Sequence, residues 1–294
     1  MAIVNFGSMN LDHVYRVPHI CVSGETILSD EVMEFAGGKG LNQSIAAVRS
    51  GARISHAGML GIGGDMLRKY LDDSGVNTSL LQFCDAPQGH SIIQVDHNGQ
   101  NSIIVYGGSN QLVNADYIDQ TLAKCDPGDY IMVQNEISCL NHLIISAHAL
   151  GLKVVLNASP VNRTLLQVDF SKVSWLIVNE LECSAIAGCN SVMDAFGILQ
   201  NRYPQTDILL TLGSEGSLCW ADGEAIRQKA YPVSVVDTTG AGDTFAGYFI
   251  GCLVNGYSRG EALRYASMAA SIAVTRPGAA NAIPTMECVL DALE

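Results

Sequence analysis

Between residues 126 and 212 the chain alternates between two kinds of segment. The turn Asp126-Pro127-Gly128-Asp129 leads into the apolar run Tyr130-Ile131-Met132-Val133, and Val154-Val155-Leu156, Trp175-Leu176-Ile177-Val178 and Ile208-Leu209-Leu210-Thr211-Leu212 follow at intervals. Helix-like segments lie between these runs, near 140–150, 180–188 and 192–202. Short β-rich runs alternating with helices imply βαβ units, and so an α/β fold with a largely parallel sheet covered by helices.

Two regions interrupt the alternation. Residues 90–106 read as a hairpin: Ser91 to Val95, the turn His97-Asn98-Gly99-Gln100, then Ser102 to Tyr106. Asn-Gly there signals a type I′ turn. Residues 13–17 and 26–35 read as two more strands with no helix between them. Together the four strands predict a small antiparallel sheet outside the main one, placed as a lid; the plainer alternative is an extension of the main sheet's edge.

Composition narrows the function classes. The 294 residues are 48% hydrophobic and 15% charged, with 29 glycines. That length suits one large α/β domain with an appendage, or two smaller domains. No apolar run approaches the roughly 20 residues of a bilayer span, and Met1–Gly7 reads as a first strand, so the expectation is a cytoplasmic protein with no membrane partner. The net charge of -13 with no offsetting basic run argues against nucleic acid as a partner. Nine scattered cysteines without a CxxC pair suit neither a disulfide framework nor a zinc site, and are expected mostly as small core residues.

Chemistry concentrates in Asp237-Thr238-Thr239-Gly240-Ala241-Gly242-Asp243-Thr244-Phe245, which runs into the apolar segment Ala246 to Leu253. A glycine-rich turn opening a helix offers unpaired N–H groups at the positive end of the helix dipole, a setting that binds phosphate. Asp243 lies in the same turn, within reach of whatever attacks that phosphate. Taken alone, the same residues also fit a strand-to-helix turn with Asp243 as a cap.

Further clusters add to it. Gly37-Gly38-Lys39-Gly40-Leu41-Asn42-Gln43 opens a helix from Ser44 to Ser50; it is neither a Walker A nor a dinucleotide motif, and Lys39 and Asn42 supply donors suited to a molecule with several hydroxyls. Gly7-Ser8-Met9-Asn10-Leu11-Asp12 follows the first strand, with Asn10 and Asp12 alternating toward one side, and Glu136 stands in a matching place after Gln134. Asn179-Glu180-Leu181-Glu182 reads as a capping box whose carboxylate could also hold waters of a Mg²⁺ ion. Thr211 to Gly216 forms another glycine turn at a strand end, and Ser258-Arg259-Gly260-Glu261 caps an Ala-rich helix to about Val274. The small residues Ala266 to Ser271 of that helix admit either close packing or a flat ligand such as adenine.

Five of these motifs, in this order, resemble the ribokinase family of phosphofructokinase-B-type carbohydrate kinases: Gly7-Ser8-x-Asn10-x-Asp12, Gly37-Gly38-Lys39-Gly40-x-Asn42-Gln43, Asn179-x-x-Glu182, Leu212-Gly213-Ser214-x-Gly216 and Asp237-Thr238-x-Gly240-Ala241-Gly242-Asp243. The resemblance spans about residues 3–290. It implies a single domain over residues 1–294, a Rossmann-like three-layer parallel sheet with the antiparallel lid inserted, and a homodimer formed through that lid. It implies transfer of phosphate from ATP to a sugar, with the 5-hydroxyl of ribose leading. Asp243 is then the base, and Gly240, Ala241 and Gly242 form the anion hole. Asn10, Asp12, Gly38, Lys39, Asn42 and Glu136 hold the sugar. Asn179, Thr211, Gly213, Ser214, Gly216, Gly242 and Ser267 approach the nucleotide, and Glu182 supports Mg²⁺ through water.

The resemblance further implies a K⁺ site from Asp237, Thr239 and the segment carrying Ala273, Arg276 and Gly278. Ala282 falls where a serine is common in the family, and Asn157-Ala158-Ser159-Pro160 replaces the usual Asn-Pro-Ala-Pro. Alternatives on the same reading are a kinase for 2-deoxyribose, another sugar or a nucleoside, and a sugar sensor that has lost catalysis. An NAD-dependent oxidoreductase would need GxGxxG after the first strand, where this chain has Gly-Ser-Met-Asn.

Overall fold

The structure is a computed structural model and describes residues 1–294. Its first half runs β1 (Ile3–Phe6), β2 (Asn10–Arg16), β3 (Glu31–Gly37), α1 (Lys39–Arg49), β4 (Ile54–Ile62), α2 (Asp65–Asp73), β5 (Asn77–Pro87), β6 (His90–Val95), β7 (Asn101–Tyr106) and α3 (Ala115–Leu122). It continues with β8 (Tyr130–Gln134), α4 (Leu140–Ala149), β9 (Lys153–Asn157), β10 (Trp175–Asn179), α5 (Glu180–Ala187), α6 (Val192–Arg202) and β11 (Asp207–Thr211). The chain closes with β12 (Ser217–Ala221), β13 (Glu224–Gln228), α7 (Ala241–Val254), α8 (Arg259–Ala273) and α9 (Met286–Asp291).

Nine strands form the main sheet in the order β13-β12-β11-β10-β9-β8-β1-β4-β5. All neighbours from β11 across to β5 pair parallel; only the β11–β12 and β12–β13 pairings are antiparallel, so β12 alone runs against the rest. The central strands are buried along nearly their whole length, as the continuous Val/Ile/Leu runs require for a sheet covered on both faces. Two buried clusters of 33 residues each flank it, one centred on α1, α7 and α8, the other on α3 to α6. Equal cores on both faces make three layers. The strand order turns around between β1 and β8, which places a crevice beyond their carboxyl ends.

The second sheet has the order β3-β2-β6-β7. It uses the four segments expected, with β2 starting at Asn10 and β3 at Glu31, so residues 26–30 stay outside any strand. Its central pairing departs from the expected antiparallel sheet. β2–β3 and β6–β7 are antiparallel hairpins, but β2 and β6 run parallel. The expectation generalised from two local hairpins, whereas the pairing between them is made across the long excursion through α1 to β5. The type I′ turn is not formed either: only Gly99 has positive φ, at 78°. Asp96 Oδ1 accepts from the N–H groups of Asn98 and Gln100, and Gly99 N–H donates to the Asp96 carbonyl. That side chain fixes a longer loop with a single left-handed residue.

Other departures are local. α1 begins at Lys39 rather than Ser44, because the Gly-Gly-Lys-Gly stretch itself supplies the first turn, with Leu41 N–H donating to Ser8 O. Of the nine cysteines only Cys183, Cys219 and Cys252 are buried, so most are not core residues. α7 is buried nearly all round, and Gly247 lets it approach α1: a Cβ there would lie 2.5 Å from Gln43 O. This close crossing sets the distance from α1 to the first turn of α7.

Candidate active site

The crevice beyond β1 and β8 collects the polar side chains expected at a sugar. Asp243 is nearly buried in the first turn of α7, where a negative charge favours the helix dipole. Its Oδ2 accepts from Asn42 Nδ2 at 3.0 Å and its Oδ1 from Gln43 Nε2 at 2.9 Å, both from α1. Asp12 on β2 accepts from Ser91 Oγ of β6 at 2.5 Å. Asn10 Oδ1 accepts from Asn110 Nδ2 at 2.8 Å, and a Cβ on Gly38 would lie 3.0 Å from Asn10 N. Glu136 Oε2 accepts from Ser8 Oγ and, at 3.3 Å, from Lys39 N–H. Asn10, Asp12, Gly38, Lys39, Asn42, Glu136 and Asp243 thus converge from five segments. Asn42 Oδ1 is buried with no partner, a free acceptor on the Asp243 side.

Electrostatics tie this group together. The carboxylate of Asp243 raises the proton affinity of Lys39 against the opposing effect of burial, and Glu136 and Glu182 add to it, so the ammonium stays charged. Burial pushes the Asp12 and Glu136 carboxyls up; the Ser91 hydrogen bond partly offsets this at Asp12, and Lys39 and Ser8 at Glu136.

On the other side of the same helical turn lies a cavity of about 580 Å³. Thr211, Gly213, Ser214, Gly216, Gly242 and Ser267 line it, together with Ala241. Asn179 does not line it, but sits beside Thr211 in the β10–β11 register. Ser267 Oγ is buried without a partner. Apolar walls come from Tyr231, Pro232, Val233, Val235, Phe245 and Val274. Sequence reasoning did not assign these; the run Tyr231 to Val236, more apolar than an ordinary surface loop, is the signal that was there.

Gly240 turns into α7 with φ 72°, a conformation glycine adopts without strain. The N–H groups of Gly240, Gly242 and Asp243 make no hydrogen bond within the chain, while Ala241 N–H donates to Thr238 O at 3.2 Å. Open donors at a helix start are the setting in which anions bind.

The cation candidates are also gathered. Asn179 and Glu182 form the expected capping box, with Glu182 Oε2 on Asn179 N–H at 2.9 Å. Asp237 Oδ1 accepts from Thr239 N–H and hydroxyl, and its Oδ2 from Gly278 N–H at 2.9 Å. Burial raises the Asp237 carboxyl, but these bonds together hold it below its ordinary value. Val236 and Asp237 N–H groups both donate to Val274 O, which stitches the 273–278 segment to the 237–239 turn. Ala282 is buried and has no side-chain oxygen to offer.

A parallel sheet with its crevice at the strand turn-around, a cluster of polar side chains, a cavity of about 580 Å³ and open N–H groups on the helix between them fit a phosphotransferase. Residues 2–286 match the family model described as pfkB family carbohydrate kinase, and the chain belongs to that family. It is an ATP-dependent sugar kinase. A ribokinase of Haemophilus influenzae is 32% identical over 298 residues, covering 98% of this chain and 97% of the relative. The crystal structure of a ribokinase from Cryptococcus neoformans in complex with ADP superposes with a TM-score of 0.87 at 32% identity, over 99% of both chains. A ribokinase of Arabidopsis thaliana complexed with ribose and ATP gives 0.86 at 29% identity, over 100% of this chain and 99% of the other.

Proposed function

We propose that this kinase transfers the γ-phosphoryl group of ATP to the 5-hydroxyl of D-ribose, with Asp243 as the base. One observation carries the reading: a single helical turn presents Asp243 to the polar pocket, through Asn42 and Gln43, and Ala241 and Gly242 to the 580 Å³ cavity. The 5-oxygen bonds to the γ-phosphorus as its proton passes to Asp243, and the bond from that phosphorus to the β-phosphate oxygen breaks, releasing ADP. The open N–H groups of Gly240 and Gly242 take up charge on the transferring group, with Ala241 N–H joining when it releases Thr238 O.

Polar lining favours a free sugar. Asn10, Asp12, Gly38, Lys39, Asn42 and Glu136 offer donors and acceptors to several hydroxyls and no apolar slot for a nucleobase, and the Arabidopsis relative's complex with ribose and ATP supports the same choice. Thr211, Gly213, Ser214, Gly216 and Ser267 hold the nucleotide, and Asn179 approaches it from the neighbouring strand. Mg²⁺, when bound with ATP, neutralises phosphate charge. Glu182, buried at the cap of α5 with its charge felt by Lys39, would reach it through water. Asp237, Thr239 and the carbonyls of Ala273, Arg276 and Gly278 would hold a K⁺ ion, with no side-chain oxygen from Ala282. The lid, whose outer strand exposes Ile103, Ile104 and Val105, would pair with a second lid in a homodimer.

The Asp243→Asn variant tests the base. Turnover is expected to fall on the order of 10³-fold with ATP affinity within about a few-fold. Near-parental turnover would remove Asp243 from the role.

A further inference from the structure

Behind Asp243 runs a file of buried polar side chains, none of which lines the 580 Å³ cavity. Gln43, whose Nε2 donates to Asp243, accepts at Oε1 from Gln134 Nε2 at 2.8 Å. Gln134 Nε2 also donates to Asn5 Oδ1 at 3.0 Å. Asn5 Nδ2 donates to Gly40 O at 2.8 Å and to Ser44 Oγ at 2.9 Å. Ser44 Oγ meets His56 Nδ1 at 2.8 Å, and His56 Nε2 meets Gly7 O at 3.2 Å. Gln43, Gln134, Asn5, Ser44 and His56 are fully buried and come from α1, β8, β1 and β4.

The hydrogens in this file have one consistent direction. Gly7 O can only accept, so His56 carries its hydrogen on Nε2. Burial pushes the imidazole down to about 4, which keeps it neutral and leaves Nδ1 as an acceptor. Ser44 therefore donates to His56 and accepts from Asn5. Asn5 must then turn its oxygen toward Gln134, and Gln134 must turn its nitrogen toward both Asn5 and Gln43. The last amide, Gln43, is left with its N–H toward Asp243.

A second observation shows what this orientation costs. Gln134 Oε1 is buried with no hydrogen-bond partner, an uncommon and unfavourable state for a carbonyl. Turning the amide over would set that oxygen against Asn5 Oδ1 and Gln43 Oε1. The orphan is tolerated because both N–H bonds are kept.

We propose that Gln134 is a positioning residue for the base: it locks the Gln43 amide in the one orientation that directs the Asp243 carboxylate toward the sugar hydroxyl. The proposal rests on the reading of Asp243 as the base. Glutamate at position 134 is isosteric and, at a pH where it is ionised, offers only acceptors, so Gln43 must then turn its oxygen to Asp243. In Gln134→Glu, kcat is expected to fall about 10- to 100-fold, with KM for sugar and for ATP within about threefold. In a Gln43→Met background, which has no amide to orient, the same substitution is expected to change kcat less than about twofold. Equal losses in both backgrounds, or an unchanged kcat in the first, overturn the proposal. If glutamate prevents folding, Gln134→Met removes the donors without adding charge and enters the same cycle with the same two outcomes. The Asp243→Asn variant separates the two claims: turnover there removes the base, whereas loss of turnover there with an additive cycle removes only Gln134.

Discussion

Asp12 and Glu136, the carboxylates proposed to hold the sugar, have their proton affinities raised, chiefly because burial strips water from the charged form. A carboxyl so raised takes up its proton at a higher pH than an exposed acid does. On acidification these two therefore neutralise before exposed acids do, and a neutral carboxyl accepts fewer hydrogen bonds from sugar hydroxyls. KM for the sugar is expected to climb as pH falls toward the upper end of the carboxylate range, while KM for ATP stays flat. Initial rates across that range check it, and a sugar KM that does not move would contradict it. Asp243, Asn42 and Lys39 were legible in the sequence because each sits in a short motif whose spacing already implies a helix start. Gln43 was visible in its motif without a role. Gln134, Asn5, Ser44 and His56 were not legible, because a file assembled from two helical residues and three different strands leaves no local pattern.

At the level of elements, runs that are apolar throughout, such as β8 to β11, announced themselves. β4 and β5 did not, since Ser55-His56-Ala57-Gly58 and Gln82-Phe83-Cys84-Asp85 mix polar and small residues into the strand. The second sheet's strands were legible from the missing helix between them and from a turn signal, but the parallel join of β2 to β6 depends on where the intervening residues travel. The exposed Ile103, Ile104 and Val105 make the outer strand a poor surface to leave in water. Sedimentation should therefore give about twice the 31.3 kDa chain mass, and Ile104→Lys should return it to the chain mass. A parent protein that sediments as a single chain at every concentration would refute the lid dimer.

The molecule as a whole carries a net charge of -13, and yet must draw in a polyanion. The fold answers locally: Lys39 is held charged by Asp243, with Glu136 and Glu182 behind it, and open N–H groups stand at the start of α7. Fixed donors aimed where charge develops need no basic surface around them. The most direct test of the central claim is ADP release from Mg-ATP with ribose, 2-deoxyribose, fructose, adenosine and pseudouridine, each with potassium and with a large inert cation. Fast, potassium-enhanced turnover on ribose, well above the other four, is the predicted result. Turnover on a nucleoside with none on ribose, or ATP binding with no turnover on any of the five, would contradict it.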